Sequence, residues 1–230
     1  MASYTTTFDG TEDPLYENGN WYFTPPVSGS KKVVKSAGVA KGSQIGGGGY
    51  DDSLAHLAGT FGPTQYSQAV VSCSAPVAAQ YHEVSLLFRQ FVSASEYYGY
   101  QINYNTMNTT GLGYISIGSW NPFGREWILL NQVVGDQYIV NNGDSISGSI
   151  SGNVITAYIN GVQRAQITDN TSLFATGSPG IGFYVEGAAS ASNYGLTSFY
   201  TTDTESTVTL SPPQTMILRN ATLRNCRIGV

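Results

Sequence analysis

Acid–base or nucleophilic chemistry in this chain would have to come from few side chains: Glu83, Glu96, Glu126, Glu186 and the two histidines, His56 and His82. Cleaving a glycosidic bond takes two carboxyl groups set across the sugar. Each of these glutamates is isolated from another acid in its own strand pattern, and neither histidine lies in a serine or cysteine nucleophile pattern. No catalytic residue is expected, and the chain reads as a non-enzyme. Asp9, Glu12 and Asp13, or Asp51 and Asp52, place hard oxygen ligands in loops, but no loop carries a full ligand series. No cofactor is therefore expected; calcium is the one ion these loops leave open, and no metal residue is assigned. Gly46 to Gly49 reads as a surface loop, because neither a helix nor a lysine and hydroxyl follows it as a phosphate cradle requires.

Binding chemistry is easier to place. Tyr158 and Arg164 are expected as cross-strand neighbours, with Thr156 and Gln166 beside them. A ring next to planar hydrogen-bonding groups matches a sugar, which is apolar on its face and hydroxylated at its edge. A plain solvated strand face or a subunit contact competes with that reading. Trp21, Trp120 and Trp127 read as core or rim packing rather than as sugar platforms. A second candidate surface is the tail, where Leu218, Leu223 and Ile228 recur every five residues among Arg219, Arg224 and Arg227. Three such turns are too few for an independent solenoid, so the tail reads as an extended arm that packs on this domain or on a neighbour.

The elements that must carry these groups are clearest between Asp144 and Thr168. A two-residue turn at Gly152-Asn153 sets Ile150 against Ile155, Gly148 against Ala157 and Ile146 against Ile159. A three-residue loop at Asn160-Gly161-Val162 then sets Ala157 against Ala165 and Ile155 against Ile167, keeping every aliphatic residue on one face. Upstream, Val84, Leu86 and Phe88 alternate with Glu83, Ser85, Leu87 and Arg89, and Tyr98, Tyr100, Ile102 and Tyr104 alternate with Gly99, Gln101 and Asn103. Ile115 and Ile117, residues 125 to 130, Tyr138 to Val140, Ile181 to Glu186 and Tyr194 to Thr201 supply further strand signals, and no window shows a helical period. The fold class is all-β: an antiparallel two-sheet sandwich or jelly roll over residues 1–201, followed by a linker and extended C-terminal arm over 202–230.

Composition narrows the partners. Charged residues make up 11% of 230, and the net charge is −5, well below the roughly 25% charged content of an average soluble chain. All four lysines fall between Lys31 and Lys41, and three of the six arginines fall in the last twelve residues. An acidic body without a basic, aromatic-lined platform argues against nucleic acid, and no stretch is long and apolar enough for a membrane helix. The opening decapeptide has neither a basic start nor an apolar run, so no secretory leader is expected. Cys73 and Cys226 read as free thiols.

One resemblance spans about residues 4 to 201. Glu126 to Leu130, Asn142-Gly143-Asp144, Gly152 to Gly161 and Gly177-Ser178-Pro179-Gly180-Ile181-Gly182-Phe183 are similar to segments of the concanavalin A-like, or laminin G-like, jelly rolls. The resemblance implies fold more than task, because lectins, glycan-cleaving enzymes, carbohydrate-binding modules and virion proteins all use it. The Glu-x-Asp-x-x-Glu spacing of its glycan-cleaving members does not occur here, and related jelly rolls often carry calcium. With few charges, no catalytic pair and a basic arm, the leading expectation is a virion structural protein, for capsid decoration or as a head or tail component of a phage. Its arm and lysine segment would contact other virion proteins or copies of itself, after assembly in the host cytoplasm. The alternative is an extracellular carbohydrate-binding or adhesion module with surface glycans as partners, and the third a glycan-cleaving enzyme.

Overall fold

The structure, a computed structural model, describes residues 2–23, 30–45, 52–74, 81–93, 96–106, 112–121, 126–171, 174–186 and 193–204. The C-terminal arm residues Leu218, Arg219, Leu223, Arg224, Arg227 and Ile228 lie outside the described residues, as do Asp51, Cys226 and the glycine loop at 46–49. The chain opens with β1 (Ser3–Thr6), β2 (Thr11–Glu12), β3 (Trp21–Tyr22), β4 (Val33–Ser36), β5 (Val39–Gly42) and β6 (Ser53–Leu57). The long central strands follow: β7 (Gln65–Cys73), β8 (Tyr81–Val92), β9 (Tyr97–Asn105), β10 (Tyr114–Trp120) and β11 (Trp127–Val134). Then come β12 (Ser145–Ser151), β13 (Val154–Ile159), β14 (Val162–Thr168), β15 (Ser178–Glu186) and β16 (Tyr194–Thr202).

These strands form two antiparallel sheets. One has seven strands in the order β11-β10-β9-β8-β15-β6-β3; the other has nine, ordered β14-β13-β12-β7-β16-β5-β4-β2, with β1 also on β16. Alternation decides which side chains meet between them. Val84, Leu86, Phe88, Ile102, Tyr104, Ile115, Ile117, Ile181 and Phe183 from the seven-stranded sheet are fully buried against Ile146, Ile150, Ile155 and Ala157 from the other. Burying one such aliphatic side chain contributes about 1.5–3 kcal/mol. The Tyr104 hydroxyl crosses the core and donates to the Ser147 carbonyl at 2.6 Å, so its polar tip is satisfied. At Gly148 the sheets approach closely, since a Cβ there would lie 2.6 Å from Ile102 Cδ1.

The paired hairpins keep the expected register. Ile146, Gly148 and Ile150 oppose Ile159, Ala157 and Ile155, and Ala157 and Ile155 oppose Ala165 and Ile167. The second turn differs from expectation. It is a two-residue turn at Asn160 and Gly161, with φ of 52° and 75°, and Ile159 opposes Val162. That is the primed-turn geometry whose twist matches the strands. The extra residue sits inside β14 as a bulge at Arg164, because Tyr158 opposes Gln163 while Ala157 opposes Ala165. Tyr138 also departs from expectation: it closes a 3-10 turn, Asp136–Tyr138, rather than opening a strand, and Val140 is buried directly after it.

Arg89, Glu17 and Lys35 find their partners within the chain. Arg89, at a β8 bulge with φ of 49°, donates to the carbonyls of Pro63, Phe174 and Gly152 at 2.7, 2.9 and 2.8 Å. Glu17 accepts from Thr6, Trp21 and Lys35 at 2.8, 2.9 and 2.9 Å and from the Tyr4 hydroxyl. Lys35, one of the segment expected to reach a neighbour, is thus buried between Glu12 and Glu17 of its own fold, and Lys32 pairs with Asp13. Cys73 is a buried free thiol.

Candidate functional site

The outer face of the seven-stranded sheet is where polar residues of separate strands converge. On β8 and β9 the residues opposite the core-facing set are Glu83 and Ser85, and Gln101 and Asn103; on β10 they are Tyr114 and Ser116. Registration puts Ser85, Asn103 and Ser116 in one row, ending at Gln132 on β11. Tyr184 and Glu186 of β15 oppose Glu83 and Tyr81. Together with Asp52, Trp120, Trp127 and Leu129 these residues line a cleft of about 560 Å³, within the size range of small-molecule sites. It runs across β11, β10, β9, β8 and β15, a distance on the order of 20 Å at the usual strand spacing.

The floor is an ordered amide and hydroxyl network. Gln101 Nε2 donates to Asn103 Oδ1 at 2.6 Å and to Ser85 Oγ at 3.1 Å, while Ser85 Oγ donates to Asn103 Oδ1 at 2.8 Å. Asn103 Nδ2 donates to Ser116 Oγ at 3.2 Å, and Trp120 Nε1 donates to Gln101 Oε1 at 2.8 Å. The network fixes the amide orientations and locks the Trp120 indole to the floor. Trp127 packs beside it, with ring centroids 5.5 Å apart at 58°. Gly118 makes room for this: a Cβ there would stand 2.4 Å from Trp127 Cζ2. Tyr81 and Tyr184 pair at the other end, centroids 5.9 Å apart.

Carboxylates complete the lining. Glu83 is only 7% exposed, and the Tyr114 hydroxyl donates to its Oε1. Burial pushes the Glu83 carboxyl up to about 7 against the opposing pull of that hydrogen bond. Burial, reinforced by the Glu83 charge, holds the Tyr114 phenol well above its usual value, so the shared proton stays on the tyrosine. Glu186 accepts from Tyr184 at 3.0 Å. Glu83 and Glu186, isolated in sequence, are diagonal neighbours on adjacent strands.

The residues chosen from sequence lie elsewhere. Thr156, Tyr158, Arg164 and Gln166 belong to β13 and β14 of the nine-stranded sheet. Thr156 and Gln166 do meet, through a 3.0 Å bond from Gln166 Nε2 to Thr156 Oγ1. Tyr158 and Arg164 are not opposite each other, because the bulge intervenes. Of the tryptophans, Trp21 is fully buried core, whereas Trp120 and Trp127 line the cleft. His82 is buried, packs on Tyr194 with ring centroids 3.8 Å apart at a tilt of 55° and contacts the Thr106 hydroxyl through Nδ1 at 2.8 Å. That hydroxyl also donates to the His82 carbonyl, which leaves it the acceptor of the Nδ1 proton. The loop acids are used locally: Glu12 accepts the Tyr16 and Glu17 amides, Asp9 the Thr7 hydroxyl, and Asp13 pairs with Lys32. Among the described residues no group of three or more His, Cys, Asp or Glu is placed to hold a metal ion.

No protein-family model matches this chain, and no curated protein matches it. Solved structures do. The carbohydrate-binding module CBM66 from Bacillus subtilis aligns at a TM-score of 0.53 and 11% identity, over 83% of this chain and 97% of that one. The exoplasmic/lumenal domain of VIP36, in a form bound to Ca2+ and Man3GlcNAc, aligns at 0.55 and 13%, over 89% and 92%. The fold is a lectin-like jelly roll. The β-porphyranase BpGH16B from the human gut bacterium Bacteroides plebeius also aligns, at 0.51 and 10% identity, over 86% of this chain and 89% of that one. At these identities the likeness establishes the jelly roll and no residue's role.

Proposed function

We propose that this chain is a carbohydrate-binding module and that the cleft on the seven-stranded sheet is its glycan site. The observation that carries the proposal is the pairing of Trp120 and Trp127 with a hydrogen-bonded floor of Gln101, Asn103, Ser85 and Ser116 in one cleft. Indole faces pack on the apolar face of a sugar ring, and planar amides and hydroxyls match its edge. Ser116 Oγ accepts from Asn103 and keeps its proton for a ligand oxygen. The floor is ordered before any ligand arrives, which lowers the entropy cost of binding. Alignment with CBM66 and with VIP36 bound to Man3GlcNAc supports this reading over a virion role. The assembly role expected from the tail rests on residues outside the described set.

The test is a glycan array followed by isothermal titration of a binding oligosaccharide. Trp127→Ala should weaken binding at least tenfold, the loss of about 1.4 kcal/mol, whereas Tyr158→Ala on the other sheet should leave it unchanged. The reverse pattern would move the site to β13 and β14, and an array with no signal would remove the glycan reading.

A further inference from the structure

We infer that the cleft prefers glycans carrying a free amine, of the glucosamine type, over neutral and acidic ones; the inference rests on the glycan-binding reading above. Its basis is the sign of the charge in the cleft. Glu83, Glu186 and Asp52 line it from three successive strands or their approaches, and among the described residues no Lys, Arg or His lines it. None of the ion pairs among the described residues involves Glu83 or Glu186. Glu83 is more than nine-tenths buried, and the Tyr114 hydroxyl donates to its Oε1. A carboxylate so deeply buried is poorly solvated and gains from a cation brought to it.

The rings point the same way independently. Trp120, Trp127, Tyr81, Tyr114 and Tyr184 share the cleft with those acids. Aromatic faces attract an ammonium through their quadrupole, so ring and carboxylate act together on a protonated amine. A uronate or sulfate in the same place would meet the carboxylates of Glu83 and Glu186, neither of which takes part in an ion pair among the described residues. An ammonium next to Glu83 also favours its ionised form, so binding an amine near neutral pH releases a proton from the protein.

The experiment is isothermal titration near neutral pH with three probes of equal length: a glucosamine oligosaccharide, its N-acetylated counterpart and an oligouronate. The expected result is at least tenfold tighter binding of the glucosamine form than of either other probe. Glu186→Gln should reduce that preference to less than threefold, with folding checked by an unchanged circular dichroism spectrum. Equal binding of the amine and N-acetylated forms, or tighter binding of the oligouronate, would overturn the inference and leave the glycan site standing. Binding of a simple diamine as tight as the amino sugar would also overturn it, and failure of all three sugars would remove the glycan reading itself.

Discussion

Glu83 and His82 are consecutive residues on β8 whose side chains face opposite sides of the sheet, and their protonation pulls stability in opposite directions. Burial raises the Glu83 carboxyl to about 7, against about 4.3 in an unfolded chain. Between those values the folded chain holds a proton that the unfolded chain releases. The stability Glu83 contributes is therefore complete below about pH 4.3 and is lost as pH rises through about 7, a change on the order of 3 kcal/mol. Burial lowers both His56 and His82 to about 4, so each histidine removes stability as pH falls from about 6.5 through about 4. Glu83→Gln deletes the first effect and leaves the second. Its melting temperature should gain on that of the parent chain as pH rises from about 4.5 to about 7.5, and a difference that stays flat over that range would mean that Glu83 is not a buried acid. Both faces of β8 were legible from alternation alone, since Val84, Leu86 and Phe88 separated from Glu83 and Ser85 in the sequence. The environment of Glu83 was not, because Tyr114 reaches it from β10, a strand that does not pair with β8.

At the scale of the strand pair, the hairpins from β12 to β14 were readable because their information is local. Gly152-Asn153 and Asn160-Gly161 mark the turns, and a slip of one residue would expose every isoleucine. The turn at Asn160 was misassigned for a physical reason: a three-residue loop, and a two-residue turn followed by a bulge at Arg164, give the same partners for Ala157 and Ile155. They differ in the partners of Tyr158 and Ile159 and so in where Arg164 stands, which is where the sequence placed its binding face. Gly148→Ala tests the packing of this unit. Its Cβ would press on Ile102 and on Phe88, 2.6 and 3.0 Å away, so a loss of about 1–3 kcal/mol in denaturant unfolding is expected. A neutral result would mean that the sheets are not closely packed there. The cleft was hidden for the opposite reason. Glu83, Ser85, Gln101 and Asn103 were assigned a face, but the pairing of β8 with β15 joins segments far apart in the chain, and period-two patterns do not name neighbouring strands.

Across the whole molecule the sandwich closes on itself at both ends of the described chain. β1 pairs with the end of β16, and the Asp203 carboxylate accepts the Ala2 and Gly62 amides at 2.7 and 3.1 Å. Removing residues 205–230 should leave the melting temperature within about 2 °C of the full chain; a larger fall would make the tail part of the folded unit. The proposed glycan site makes the same truncated chain fully competent to bind sugar. The most direct measurement follows the indole N–H signals of the three tryptophans by nuclear magnetic resonance while a bound oligosaccharide from the array is titrated in. Trp120 and Trp127 should shift together and saturate at one affinity while Trp21, sealed in the core, stays in place. Shifts confined to the amides of β13 and β14, with both cleft indoles unmoved, would contradict the site.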